Sequence, residues 1–211
     1  MTVKAVCRWL LALTLVGVAA PPRAVPTFAL DQDTAEVARL IKALDLRPGS
    51  VVAEIGAGDG ELTMAVARIV GETGRVFSNE LNEAKLAALT AKMAVGRAGN
   101  VTVIEGRANT TSLPDQCCDG IFMRDVYHHF SDPAAMNASI IRALRPGGRL
   151  VILEFGPPPG SESADVRRRG EDGQHGITPA TLERELEAAG FMIESTEQYG
   201  FRSSITVARR P

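Results

Sequence analysis

The stretch Val-Val-Ala-Glu-Ile-Gly-Ala-Gly-Asp-Gly-Glu-Leu-Thr (residues 51–63) concentrates groups that can hold a ligand. An apolar run feeds three glycines, Gly56, Gly58 and Gly60, and these open what reads as a helix. Glycine serves where backbone bends sharply or comes close to a ligand. A glycine turn between strand and helix also presents free N–H groups at the helix N-terminus. The spacing is Gly-x-Gly-x-Gly, not the Gly-x-Gly-x-x-Gly of dinucleotide enzymes. Glu54, Asp59 and Glu61 surround the loop, and no Lys or Arg lies between Arg47 and Arg68. That negative charge repels a diphosphate and suits a ligand carrying positive charge, such as a sulfonium with an amino group.

Further polar residues recur where other apolar runs end. Glu80 stands 20 residues after Gly60, where a carboxylate can accept two hydrogen bonds from a ribose diol. Gly106-Arg107-Ala108-Asn109 follows a third run, and Arg124-Asp125-Val126-Tyr127-His128-His129-Phe130 a fourth. His128, Tyr127 and the distant His175 are the candidates to line a substrate pocket and take a proton from it. His129 reads as a packed, hydrogen-bonded histidine. Asp125, His128, His129 and His175 have metal-binding chemistry, but adjacent histidines point different ways and no ligand spacing compels a site. No metal ligand is therefore assigned. Neither Ser161 nor Cys117 has a Gly-x-Ser-x-Gly setting, so no nucleophile–base triad is in view.

Together these segments resemble the class I S-adenosylmethionine-dependent methyltransferases, over roughly residues 35–208. Residues 51–63 resemble the family's first motif. Leu113-Pro114-Asp115 with Asp119-Gly-Ile-Phe-Met resembles its fourth strand, and Leu144-Arg145-Pro146-Gly147-Gly148 its structural turn before strand five. The resemblance implies S-adenosylmethionine as cofactor. Around it stand Glu54, Gly56, Ala57, Gly58 and Gly60 from the first loop, Glu80 and Leu81 from the second, Ala108 and Asn109 from the third, and Arg124 from the fourth. Glu54 helps fix the methionine end and Glu80 the ribose. Arg107 departs from the pattern, because many members have an acid there, near the adenine. The backbone of Ala108 or the amide of Asn109 substitutes. The implied reaction is in-line methyl transfer, which needs alignment and exclusion of water more than covalent machinery. The alternative of another class is a cofactor-binding sensor or scaffold without turnover.

The elements that must position these residues alternate. Apolar periodicity predicts a helix over 33–46, strands at 51–55, 75–78, 101–105, 119–124 and 149–155, and helices near 61–70, 83–95, 133–144 and 179–189. Two strands near 192–198 and 203–208 close the chain. Strand–helix alternation implies an α/β fold, with a mostly parallel sheet covered on both faces. The last two strands lack an intervening helix, so one runs antiparallel. The resemblance implies a single Rossmann-like, seven-stranded sheet of order 3-2-1-4-5-7-6 with strand 7 antiparallel. Gly156–Gly176, rich in proline, glycine and charge, is a loop of the kind that covers substrates.

The chain has 211 residues and a formal net charge of −2. Residues 30–211 make one domain by size. Near-neutral charge argues against a nucleic-acid partner and favours a small-molecule or lipid substrate. Arg167-Arg168-Arg169 is either a solvated loop or a contact for an anionic substrate. Residues 1–29 read as a signal peptide: Lys4 and Arg8, an apolar core from Trp9 to Ala20, then small residues. The core falls short of the ~20 apolar residues of a comfortable span. The expectation is export to the periplasm or medium, with an uncleaved membrane anchor as the alternative. S-adenosylmethionine is made in the cytosol, so export requires cofactor in the outer compartment. Cys117 and Cys118, being neighbours, read as small apolar residues rather than a bridge.

Overall fold

The structure, a computed structural model, describes residues 32–171 and 173–211. The expected targeting segment, 1–29, lies outside the described residues. The apolar runs become strands β1 (Val51–Ile55), β2 (Arg75–Glu80), β3 (Val101–Glu105), β4 (Cys118–Arg124), β5 (Leu144–Phe155), β6 (Met192–Tyr199) and β7 (Ser203–Arg209). They form one sheet in the order β3-β2-β1-β4-β5-β7-β6. The pairs among β1 to β5 are parallel, and β7 runs antiparallel to both β5 and β6. Fold class and strand order are as expected.

Side chains alternate across a pleated strand, and here the alternation builds two cores. Val52, Phe122, Val151 and Leu153 face one way, with Leu40 and Leu44 of helix α1 (Gln32–Leu44) and Leu62, Val66 and Val70 of α2 (Glu61–Val70). Ala53, Ile55, Ile121, Met123, Leu150 and Ile152 face the other way. Against them pack Met136 and Ile140 of α4 (Pro133–Ala143) and Leu182 and Leu186 of α5 (Pro179–Ala188). Leu89 and Met93 of α3 (Glu83–Val95) cover Ala57 of the glycine loop. Asn82, Asp132 and Thr178 cap α3, α4 and α5 by accepting a backbone N–H three residues on. No side chain caps α2, whose N-cap is Gly60.

Three details differ from the sequence reading. Strand β5 begins at Leu144, which pairs with Cys118 before the register shifts. The expected Pro-Gly-Gly turn is tied instead to the last strand, with Gly147 N–H donating to Arg210 O (3.0 Å) and Arg210 N–H to Gly148 O (2.9 Å). Short 3-10 turns form at Tyr127–His129 and Val166–Arg168. Cys118 is buried at the start of β4 and Cys117 packs beside the core as read, but their sulfurs are bonded to each other. Among the described residues no helix is long and apolar enough to cross a membrane.

Phe122, fully buried at the centre of β4, belongs to the core layer that also holds the apolar faces of α1 and α2. Phe122→Ala should lower unfolding free energy in urea by about 3–5 kcal/mol.

Candidate functional site

Register brings the carboxyl ends of the parallel strands to one level. Ile55 lies beside Asn79, Glu80 beside Glu105, and Arg124 beside Leu153. Loops leaving these ends enclose a crevice of about 540 Å³, within the range for small-molecule sites. Its walls include Glu54, Gly56, Ala57, Gly58, Glu80, Leu81, Ala108 and Arg124 of the expected cofactor residues.

The glycines of the loop do different work. Gly56 has φ 70° and faces Val126, and a Cβ there would stand 2.5 Å from the valine Cγ2. Gly58 has φ 56°, and a Cβ there would meet nothing within 4 Å. Its missing side chain therefore leaves open space in the crevice. Gly60 does not line the crevice; a Cβ there would strike Leu89 Cδ1 at 2.5 Å, so this glycine lets α3 pack against the start of α2.

Two buried carboxylates face this space. Glu80 is 6% exposed and accepts from Gly58 N–H (2.8 Å), Leu81 N–H (2.9 Å) and Asn82 N–H (2.8 Å). Two carboxylate oxygens offer about four lone-pair sites, so Glu80 keeps capacity for a ligand hydroxyl. Glu54 is 3% exposed and accepts from the Thr63 hydroxyl, itself hydrogen-bonded to Ser78 Oγ (2.7 Å). Burial pushes the Glu54 carboxyl up to about 7, against the smaller downward pull of the Thr63 hydrogen bond and of Arg124. Arg124 stands at the end of β4 and pairs with Glu36 at 3.4 Å.

Other expected site residues lie elsewhere. Arg107 and Ala108 line the crevice, but Asn109 is exposed in a small turn closed by the Arg107–Thr110 bridge and does not. Tyr127 and His128 are buried away from the crevice, and His129, read as a packed residue, lines it. The 3-10 turn over 127–129 is the physical reason, since it drives the first two side chains inward and the third toward the opening. The Tyr127 hydroxyl accepts from Asn137 Nδ2 (2.8 Å) and donates to Glu185 (3.2 Å). Burial raises its pKa well above the ordinary tyrosine value, so it serves the core. His175 is half-buried behind the crevice, its Nε2 2.8 Å from that of His128. Burial, then the neighbouring His128 and His175, hold the His129 pKa below the usual imidazole value.

The basic run Arg167–Arg169 is paired within the protein. Arg169, buried, grips Glu185 through two hydrogen bonds (3.1 and 2.7 Å), Arg168 meets Glu171, and Arg167 lies 3.7 Å from Asp165. Arg167 and Arg168 are exposed, as the solvated-loop reading has it, whereas Arg169 is buried in an ion pair that neither reading anticipated. Thr63, which fixes the Glu54 carboxylate, was missed by the sequence reading. Its place one helical turn into α2, opposite β1, was the only signal.

A family model described as "Methyltransferase domain" matches residues 53–152, which carry both carboxylates and the glycine loop. The matched segment, a little under half of the chain, is similar to S-adenosylmethionine-dependent methyltransferases. Among curated relatives, the ubiquinone/menaquinone biosynthesis C-methyltransferase of Shewanella halifaxensis is 34% identical over 119 residues, 56% of this chain and 47% of that one. The chain thus spans about half the length of the curated relatives it matches. A methyltransferase structure from Aquifex aeolicus superposes with a TM-score of 0.72 at 22% identity, covering 83% of this chain and 90% of that one. A phosphoethanolamine N-methyltransferase of Haemonchus contortus, solved in complex with S-adenosyl-L-methionine, gives 0.69 at 17% identity, over 84% and 52% of the two chains. These two likenesses are of fold. The matched segment ends inside β5, so α5, β6 and β7, with the loop carrying His175, lie beyond it.

Two outcomes follow from the loop geometry. Gly56→Ala, forced into Val126 at a positive φ, should lower stability by about 1–3 kcal/mol, measured by chemical denaturation. Tyr127→Phe should lose about 1–2 kcal/mol of stability through its stranded partners, while the affinity of the crevice for ligand, read by calorimetry, stays at the wild-type value.

Proposed function

We propose that this domain binds S-adenosylmethionine in the crevice and transfers its methyl group to a small-molecule or lipid acceptor, in an exported protein. The observation that carries this reading is the pairing of two buried carboxylates, Glu54 and Glu80, with the open space at Gly58 and the uncapped start of α2. A carboxylate with spare lone pairs at the end of β2 fits a ribose diol. The acidic end at Glu54 and Asp59, facing the cation of Arg124, fits a group carrying both an ammonium and a carboxylate. Arg107 and Ala108 are left to the base, with Asn109 outside the crevice.

When bound, S-adenosylmethionine supplies an activated methyl group. The residues of this chain align and enclose. Glu80 would fix the sugar while holding Gly58, and Arg124 would hold the amino-acid carboxylate. Val126 and Phe130, also on the crevice wall, would keep water from the acceptor side. The Shewanella relative is a C-methyltransferase of ubiquinone/menaquinone biosynthesis by name. This supports an apolar, ring-bearing acceptor here. Export rests on Lys4, Arg8 and the apolar stretch Trp9–Ala20.

Mass spectrometry of the purified protein with its co-purifying ligand tests both parts, by the mature N-terminus and by bound S-adenosylmethionine or S-adenosylhomocysteine. Glu80→Ala should weaken S-adenosylmethionine binding by about 1–3 kcal/mol, and unchanged affinity in calorimetry would remove Glu80 from the ribose role. Glu54 gives a pH signature. Its pKa in the folded protein, about 7, lies above the ordinary 4.5. The cofactor-free protein therefore loses roughly 2–4 kcal/mol as pH rises from about 4.5 through 7. A cationic ligand favours the ionised carboxylate, so binding should release a proton and tighten as pH rises from 6 to about 8. Glu54→Gln should flatten both dependences.

A further inference from the structure

The chain contains three histidines, and the fold brings all three together. One ring nitrogen from each of His128, His129 and His175 lies within 4.8 Å of the other two. We propose that these three side chains form a binding site for one divalent transition-metal cation, zinc or a close relative, with the Glu154 carboxylate behind it. His129 also lines the crevice, but none of the three histidines is among the residues assigned to the cofactor, so the inference does not rest on the methyl-transfer reading.

Orientation is the first argument. His128 is 1% exposed, and its Nδ1 lies 2.8 Å from Glu154 Oε2. An ionised carboxylate only accepts hydrogen bonds, so Nδ1 carries the proton and the lone pair sits on Nε2. That lone pair points at His175 Nε2, 2.8 Å away. A histidine held through one nitrogen by a carboxylate, with the other nitrogen free, is the arrangement that orients metal-bound imidazoles and raises their basicity. The fixed adjacency of His128 and His129, which argued against a site from sequence alone, is overcome by the 3-10 turn. Their ring centroids stand 4.1 Å apart and His175 completes the group from 47 residues away. Asp125 is not part of it.

Charge is the second argument. Glu154 is 1% exposed, and among the described residues no Lys or Arg pairs with it. Its hydrogen-bond donors are His128 Nδ1 and the backbone N–H groups of His128 and Phe155. With no Lys or Arg beside it, a carboxylate buried here gains from a divalent ion bound one imidazole away.

The surroundings favour ligation. Phe155 packs edge-on against His128 and His175, each at 5.0 Å between centroids, and shields one side from water. His175 is fixed by its neighbours: Gly176 N–H donates to Arg169 O (3.0 Å) and Ile177 N–H to Phe155 O (3.1 Å). Gly170 passes so close that a Cβ there would lie 3.0 Å from His129 Nδ1. Two imidazole nitrogens on one tetrahedral zinc, at about 2.0–2.1 Å each, stand about 3.3 Å apart. The ion would take the place of the proton between the two Nε2 atoms, with His175 shifting to the tautomer protonated on Nδ1 so that its ring stays neutral, and the rings would part by about half an ångström from 2.8 Å. Three neutral nitrogen ligands leave a fourth position open. The site would also clasp the loop between β5 and α5 to the end of β4.

Because these are the chain's three histidines, selective labelling isolates the site. Full-length protein labelled with 15N-histidine, stripped with chelator and without cofactor, is titrated with Zn2+. All three imidazole signals should move together and saturate at one equivalent. Co2+ in place of Zn2+ should give the visible absorption of a four-coordinate ion, and His129→Ala and His175→Ala should each weaken its binding at least about 10-fold. Imidazole signals unmoved by Zn2+, or Co2+ affinity unchanged in both variants with circular dichroism intact, would overturn the proposal. Either result leaves the cofactor reading untouched, since S-adenosylmethionine binding is measured separately at the crevice.

Discussion

The Glu80 carboxylate holds the site together. It accepts the Gly58 N–H from the loop after β1 and two N–H groups from its own turn after β2. One buried charge thereby joins two neighbouring strand ends and the start of two helices. Without it the glycine loop would have no fixed distance from the second strand, and the crevice between them no defined width. Burying a carboxylate is tolerable because the three donors are backbone amides that would otherwise lack partners at the crevice floor.

Around that contact the sheet supplies rigidity and the loops supply chemistry. Parallel pairing sets the strand ends level, so side chains distant in sequence meet at one edge: Glu54, Glu80 and Arg124 around the crevice, Glu154 and the histidines beside it. The two ends of this edge differ in character. At the glycine loop, negative charge is buried close to free backbone donors. At the β4–β5 end, a carboxylate is screened by imidazoles. The polarity of the edge therefore runs from buried carboxylates at the glycine loop to a carboxylate among imidazoles at the β4–β5 end.

Much of this was legible from residue order. The alternation of apolar runs with helical periodicity gave the α/β class, and the missing helix between the last two runs gave the reversed strand. Glu54, Gly58 and Glu80 could be chosen because strand ends in such sheets face a common crevice. The run from Arg124 to Phe130 was harder. Sequence shows that Tyr127, His128 and His129 are adjacent but not which way a short 3-10 turn will aim each of them. Asn109 was assigned by position after β3, yet the turn closed by Arg107 and Thr110 aims it outward.

The sequence by itself determined the strands, the glycine bend and the negative charge beside it, because apolar periodicity and backbone steric limits act over a few residues. Only the tertiary structure decided that Arg169 is consumed by Glu185, that Tyr127 is core, and that His175 comes within hydrogen-bonding distance of His128. These contacts join residues separated by ten or more positions, and no local rule fixes their meeting. They depend on how helix α5 and the loop before it settle on the sheet, which is set by packing of the whole layer.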